Sequence, residues 1–146
     1  MDNKYSRRAS IISGGYFLKN LIDEMSTYAN QIKNSKNTTF IYPKFSIYSA
    51  HDETLFGILS LLRVSNPSSH PVFASNMIFE LWKKDNGCDD YNVRIISNGK
   101  SINSIEDSFN STNSDIDSSS FSAYKKKINS LTKIGITEEC FGKFNI

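Results

Sequence analysis

His51 and Asp52 stand side by side after a short run of apolar and small residues (FSIYSA, 45–50) and just ahead of an almost wholly apolar one (TLFGILSLL, 54–62). Read as strand, pair and helix, this order puts an imidazole and a carboxyl at the carboxyl end of a strand. Open α/β sheets bind ligands there, and a helix N-terminus offers free N–H groups to an anion. An imidazole so placed can donate to a phosphoryl oxygen, and a protonated carboxyl can donate to a departing oxygen, so the pair suits phosphoryl transfer. A structural role competes with that reading. Asp before a helix is a favoured N-cap, and a histidine at a strand end is often a hydrogen-bonded framework residue. A metal-dependent His-Asp hydrolase is disfavoured, because it needs further ligands and the only other histidine, His70, lies in a loop between Ser69 and Pro71.

The elements that must hold the pair can be read from periodicity. Leu18, Leu21, Ile22, Met25, Tyr28, Ala29 and Ile32 recur at three and four, which predicts a helix over 18–32, with Ser13-Gly14-Gly15 as a lead-in turn. Residues 45–50 predict a short strand with apolar or small residues on both faces, and hence a place inside a sheet. Residues 54–62 predict a heavily buried helix starting at Asp52 or Glu53, since the run is apolar nearly all round. Residues 75–84 and 91–97 predict a hairpin whose connection holds an Asn-Gly signal, and Asn98-Gly99 predicts a further tight turn. Nine of the 22 residues from 101 to 122 are Ser, which reads as an irregular loop. A last helix is predicted over 121–133, with Phe121, Tyr124, Ile128 and Leu131 on one face. On the hairpin, Glu80 is expected to be a structural strand residue, and Trp82 to pack on the face opposite to it.

Composition removes several function classes. Seventeen basic and fifteen acidic residues leave a formal charge of +2, too small and too scattered for a nucleic-acid groove or a polybasic membrane patch. Lys125-Lys126-Lys127 reads as a solvated helix face. No run of eighteen apolar residues occurs, so no membrane span is predicted. The first eight residues are basic but lead into no apolar stretch with a small-residue cleavage site, so no secretory signal is read there. Cys88 and Cys140 fit neither a zinc site nor a disulfide framework. Two sequons, at Asn37 and Asn110, fit a secreted protein and equally fit chance in an Asn- and Ser-rich chain. The length of 146 residues is that of one compact domain or a piece of a larger one.

The segment YSAHDETLFGILSLL resembles the carboxyl-half signature of the histidine acid phosphatases: a hydrophobic strand, Ser-Ala-His-Asp, a variable residue, Thr, and an apolar helix. Ser13-Gly14-Gly15 with FLKNLIDEM is similar to the family's upstream helix. Phe73-Ala74-Ser75 leading to Phe79-Glu80-Leu81 resembles its downstream strand, and Tyr91-Asn92-Val93-Arg94 with Asn98-Gly99 the paired one. Thr137-Glu138-Glu139-Cys140 looks like its terminal cysteine region, so order and spacing agree from about Ser13 to Cys140, closest to the lysosomal and prostatic type. The resemblance implies an α/β fold, the carboxyl-terminal portion of a three-layer, phosphoglycerate mutase-like phosphatase domain with a buried strand, flanking helices and a β-hairpin. It implies hydrolysis of phosphate monoesters through a phosphohistidine, with no cofactor and no metal. In it His51 would contact the phosphate and Asp52 would protonate the leaving alcohol. A donor that must start protonated suits acid conditions. Glu53 departs mildly from the family pattern and is expected to point away from a bound anion.

No Arg-His-Gly, the family's nucleophile motif, occurs in the chain. The expectation is therefore a partial phosphatase domain, inactive alone, with a missing amino-terminal half or a second copy as partner and a tendency to associate through the 45–50 strand. Cys140, whose family counterpart is implied to form a disulfide to that half, would be left unpaired. A secretory or lysosomal compartment is implied by the resemblance alone. The alternative is a non-catalytic, phosphatase-derived module that binds a phosphorylated ligand or a partner.

Overall fold

A computed structural model of the chain describes residues 8–34, 43–62, 71–84, 91–102 and 119–132. Cys88, Cys140, His70, both sequons, the hairpin connection at 85–90 and most of the Ser-rich stretch lie outside the described residues.

The first helix differs from its prediction at its start. Residues 8–10 are already helical, and a π-helical stretch, Ile11–Gly15, runs without a break into α1, Tyr16–Asn34. Ser13-Gly14-Gly15 is thus inside a helix and not a turn leading to it. The cause is tertiary: Gly14 and Gly15 are buried because other elements lie on them. Leu18, Ile22, Met25 and Ala29 form the buried stripe expected of α1.

α2, Asp52–Leu61, begins where the sequence put it and crosses the π-helical stretch. The crossing is a glycine-to-glycine contact. A Cβ on Gly14 would lie 2.6 Å from the Ile58 amide nitrogen and 2.7 Å from the Gly57 carbonyl carbon. A Cβ on Gly57 would lie 2.1 Å from Ser13 Oγ and 3.0 Å from the Gly14 nitrogen. No other residue type allows so close a backbone approach. Gly57, Ile58 and Leu61 of α2, with Leu62 at its C-cap, are buried, and no residue of 54–62 is exposed, as expected of a run apolar nearly all round. Its remaining apolar residues, Leu55, Phe56 and Leu59, are half-buried among the described residues.

The hairpin is as predicted. β1, Met77–Lys83, pairs antiparallel with β2, Tyr91–Ser97, so that Phe79 faces Ile95, Glu80 faces Arg94 and Leu81 faces Val93. β3, Lys100–Ser101, and β4, Ser119–Ser120, pair with the two ends of the opposite edge of β2. Asn98 and Gly99 both take positive φ, 48° and 76°, which makes the tight turn into β3. Asn98 also ties the hairpin base together: its Oδ1 accepts from the Asn76 amide at 2.9 Å, and its own amide donates to the Asn76 carbonyl at 3.1 Å.

Helix α3, Phe121–Leu131, lays Phe121, Tyr124 and Ile128 on the sheet and helices, with Lys125, Lys126 and Lys127 at more open positions. One core results, joining Ile11, Leu18, Ile22 and Met25 to Ile58 and Leu61 of α2, to Val93 and Ile95 of the sheet, and to α3. Each fully buried aliphatic side chain contributes roughly 1.5–3 kcal/mol.

Residues 45–50 are the largest departure. They form no strand, pair with no strand among the described residues, and are exposed throughout, Phe45 by 76% and Ile47 by 80%. The expected buried strand is therefore corrected. Apolar composition can suit a strand to a sheet interior, but a ladder needs a neighbour, and the sheet described here is built around β2.

Candidate active site

His51 is the N-cap residue of α2, in extended conformation (φ −93°, ψ 162°), and its carbonyl accepts from the Thr54 amide at 3.1 Å and the Leu55 amide at 3.3 Å. Asp52 is the first helical residue. Its Oδ1 accepts from the neighbouring Glu53 amide at 3.0 Å, which is not the contact two or three residues along that an N-cap makes. The capping role anticipated for Asp52 is accordingly not the one observed. Both side chains are exposed, and among the described residues the His51 imidazole makes no hydrogen bond or ion pair. A framework histidine would be satisfied internally. These two groups instead project from a helix N-terminus whose dipole favours an anion.

The corner they occupy is held from both sides by one helix. Behind it, the Gly14–Gly57 crossing fixes α2. Ahead of it, Tyr48 meets Phe17 edge to face, with ring centroids 5.2 Å apart at 86°, and its hydroxyl donates to Glu24 Oε2. Glu24 Oε1 accepts from Tyr28, one turn along α1, at 2.5 Å. These two hydroxyls, Tyr28 foremost, hold the Glu24 carboxyl below its ordinary range, while the carboxylate pushes Tyr28 up to about 12 and raises Tyr48 as well. Sequence reasoning missed this trio. The signals available were the Glu24/Tyr28 spacing of four on a helix and a tyrosine three residues before His51.

Glu80 is a strand residue in an ion pair, its Oε2 accepting from Arg94 Nε across the ladder at 2.6 Å. Trp82 corrects its expectation. Its Nε1 donates to the same Glu80 oxygen at 3.0 Å, and the Arg94 guanidinium lies over its ring at 5.4 Å, so Trp82 shares a face with Glu80. Positions two apart on a strand always do. This cluster makes no hydrogen bond to His51 or Asp52 among the described residues. No group of three or more His, Cys, Asp or Glu able to hold a metal occurs among the described residues, and no helix there is long and apolar enough to cross a membrane.

Comparison with known proteins adds to this geometry. The chain is 43% identical over 58 residues to human 2-phosphoxylose phosphatase 1, covering 40% of this chain and 12% of that protein. It is 37% identical over 76 residues to rat lysosomal acid phosphatase, covering 52% of this chain and 16% of the relative, and 40% identical over 58 residues to the Xenopus tropicalis 2-phosphoxylose phosphatase 1, covering 40% and 11%. The chain therefore spans less than a fifth of the length of these relatives in its matched part. No solved structure matches it. Residues 4–98, which take in α1, the His51–Asp52 corner and the hairpin, match the model of the histidine phosphatase superfamily, branch 2. By that match over well over half its length, the chain belongs to this superfamily.

Proposed function

We propose that His51 and Asp52 are the phosphate contact and the proton donor of an acid phosphatase that hydrolyses phosphate monoesters through a phosphohistidine. The observation that supports this most directly is that both side chains stand exposed at the N-terminus of α2, outside the core, with the imidazole unpartnered among the described residues. In the proposed cycle a histidine nucleophile takes the phosphoryl group from oxygen, Asp52 gives its proton to the leaving alkoxide, and water then cleaves the phosphorus–nitrogen bond. His51 donates to a phosphoryl oxygen as charge shifts in the transition state. The nucleophile belongs to an Arg-His-Gly segment that these 146 residues do not contain, so the chain by itself is proposed to be inactive.

Two experiments test the reading. Orthovanadate titrated into the chain should shift the His51 imidazole resonances, with the response lost in His51→Ala; an indifferent imidazole would rule out the phosphate contact. In an enzyme that contains both halves, Asp52→Ala should slow poor leaving groups far more than good ones, and equal loss for all would remove Asp52 as the acid. The second reading, a phosphate-binding module without hydrolysis, is favoured by the missing nucleophile motif. It predicts vanadate binding by a soluble, cooperatively melting chain whose full-length form also lacks phosphatase activity. A relative is named for the lysosome, and a secretory or lysosomal route is proposed here too; it predicts glycosylation at Asn37 or Asn110.

A further inference from the structure

The geometry points to Glu24 as the positioning residue of the His51–Asp52 corner, acting through Tyr48; the inference rests on the phosphate site proposed at that corner. The chain leading into His51 needs such a device. Residues 43–50 are exposed and belong to no ladder among the described residues, so no described sheet fixes the direction from which His51 is reached. Tyr48 supplies the tie, placing its hydroxyl on Glu24 Oε2 and its ring edge-on to Phe17. Phe17 and Glu24 are seven residues apart, two turns along one face of α1, so ring and hydroxyl are held by the same rigid element.

Glu24 is itself constrained. Its second oxygen takes the Tyr28 hydroxyl at 2.5 Å, which leaves the carboxylate little freedom to follow a moving Tyr48. Three residues of extended chain span at most about 10 Å, so what loosens Tyr48 loosens His51. On the far side α2 is held at the Gly14–Gly57 crossing. The two reacting side chains therefore sit between two ties to one helix, and the Tyr48 tie is the one made by removable side-chain atoms on the surface.

The test uses Tyr48→Phe and Glu24→Gln in the whole chain, read by backbone ¹⁵N relaxation over 46–52 and by vanadate titration of the His51 resonances. Tyr48→Phe should lower order parameters at 46–51 from about 0.85 to below about 0.6 and weaken vanadate binding about tenfold, the scale of one lost hydrogen bond to a charged group. Thermal stability should stay within a few degrees, because Tyr48 is exposed. Glu24→Gln keeps one carbonyl acceptor and should lose less. Tyr28→Phe leaves the Tyr48 contact in place and should lie between Glu24→Gln and the unaltered chain. Unchanged order at 46–51 in Tyr48→Phe overturns the inference, as does an affinity loss no larger than the loss of stability. An unaltered chain that ignores vanadate, yet loosens at 46–51 in Tyr48→Phe, removes the phosphate reading and supports the tie.

Discussion

Replacing Gly14 by Ala probes the contact that fixes α2. The added Cβ would sit 2.6 Å from the Ile58 nitrogen and 2.7 Å from the Gly57 carbonyl carbon, both backbone atoms, so no rotamer change can make room. The helices must part by most of an ångström. Overpacking of a tight site costs about 1–3 kcal/mol, and backbone interference puts this case at the upper end. Ala is favoured over Gly within a helix by about 1 kcal/mol, which offsets part of that cost and leaves a net loss of about 2 kcal/mol. Gly57→Ala differs in degree, since its nearest clash, at 2.1 Å, is with Ser13 Oγ, the end of a side chain, while the nearest backbone atom, the Gly14 nitrogen, lies at 3.0 Å. Its net loss should be about 1 kcal/mol or less, and Ser13→Ala should recover part of it while recovering nothing in Gly14→Ala. Urea denaturation followed by circular dichroism gives the four free energies of each cycle. Gly14→Ala proving neutral or stabilising, as for a glycine in an open helix, would refute the close crossing, and equal losses at the two positions would refute the distinction between backbone and side-chain clash.

Glu80→Gln should cost about 0.5–1 kcal/mol at neutral pH, the scale of a part-exposed pair. Arg94, and then Trp82, hold the Glu80 carboxyl below its ordinary 4.5. That contribution is therefore present above 4.5 and is lost as pH falls through the lower folded value, so melts of the two proteins should converge in acid. Tyr28, raised to about 12, should titrate well above pH 10 in site-resolved ring spectra and return toward 10 in Glu24→Gln. With the folded value the higher one, its contribution is complete below pH 10 and disappears as pH rises through about 12. Gly99→Ala should destabilise by about 1 kcal/mol in denaturant melts through its φ of 76° alone, because nothing lies within 4 Å of the added Cβ. Ile47→Lys should reduce any concentration-dependent association measured by light scattering, since Ile47 is 80% exposed on an unpaired segment; unchanged association would place the contact elsewhere.

Local chemistry was legible in the sequence wherever it determines the structure. Asp52 begins α2 because an apolar run follows it, the β-rich runs at 75–84 and 91–97 pair as a hairpin, and Asn98-Gly99 turns because those two residues tolerate positive φ. Gly14 misled because a glycine after a serine reads as a helix breaker; what it serves is a contact with Gly57, 43 positions away, that no local pattern encodes. The 45–50 run misled for a related reason, since its composition reports a preference for a ladder while the ladder depends on another segment. Trp82 was a matter of strand parity that its spacing from Glu80 already contained. Of the candidate site, the His51–Asp52 pair was readable from type and order, whereas Glu24 was hidden by lying 24 positions from Tyr48.

The π-helical turn at Ile11–Gly15 sets a phase as well as a shape. One additional residue in a helix rotates everything beyond it by about 100°, and a π turn absorbs such an addition without breaking the helix. Gly14 lies within that turn, while Phe17 and Glu24 lie past it on regular α-helix. Deleting Gly15, between Gly14 and Phe17, would remove that extra residue, yet swing Gly14 by about 100° relative to Phe17 and Glu24. The chain would then meet α2 or Tyr48 in the right direction, never both. Residue count between Gly14 and Phe17 is thus a quantity the His51 corner depends on.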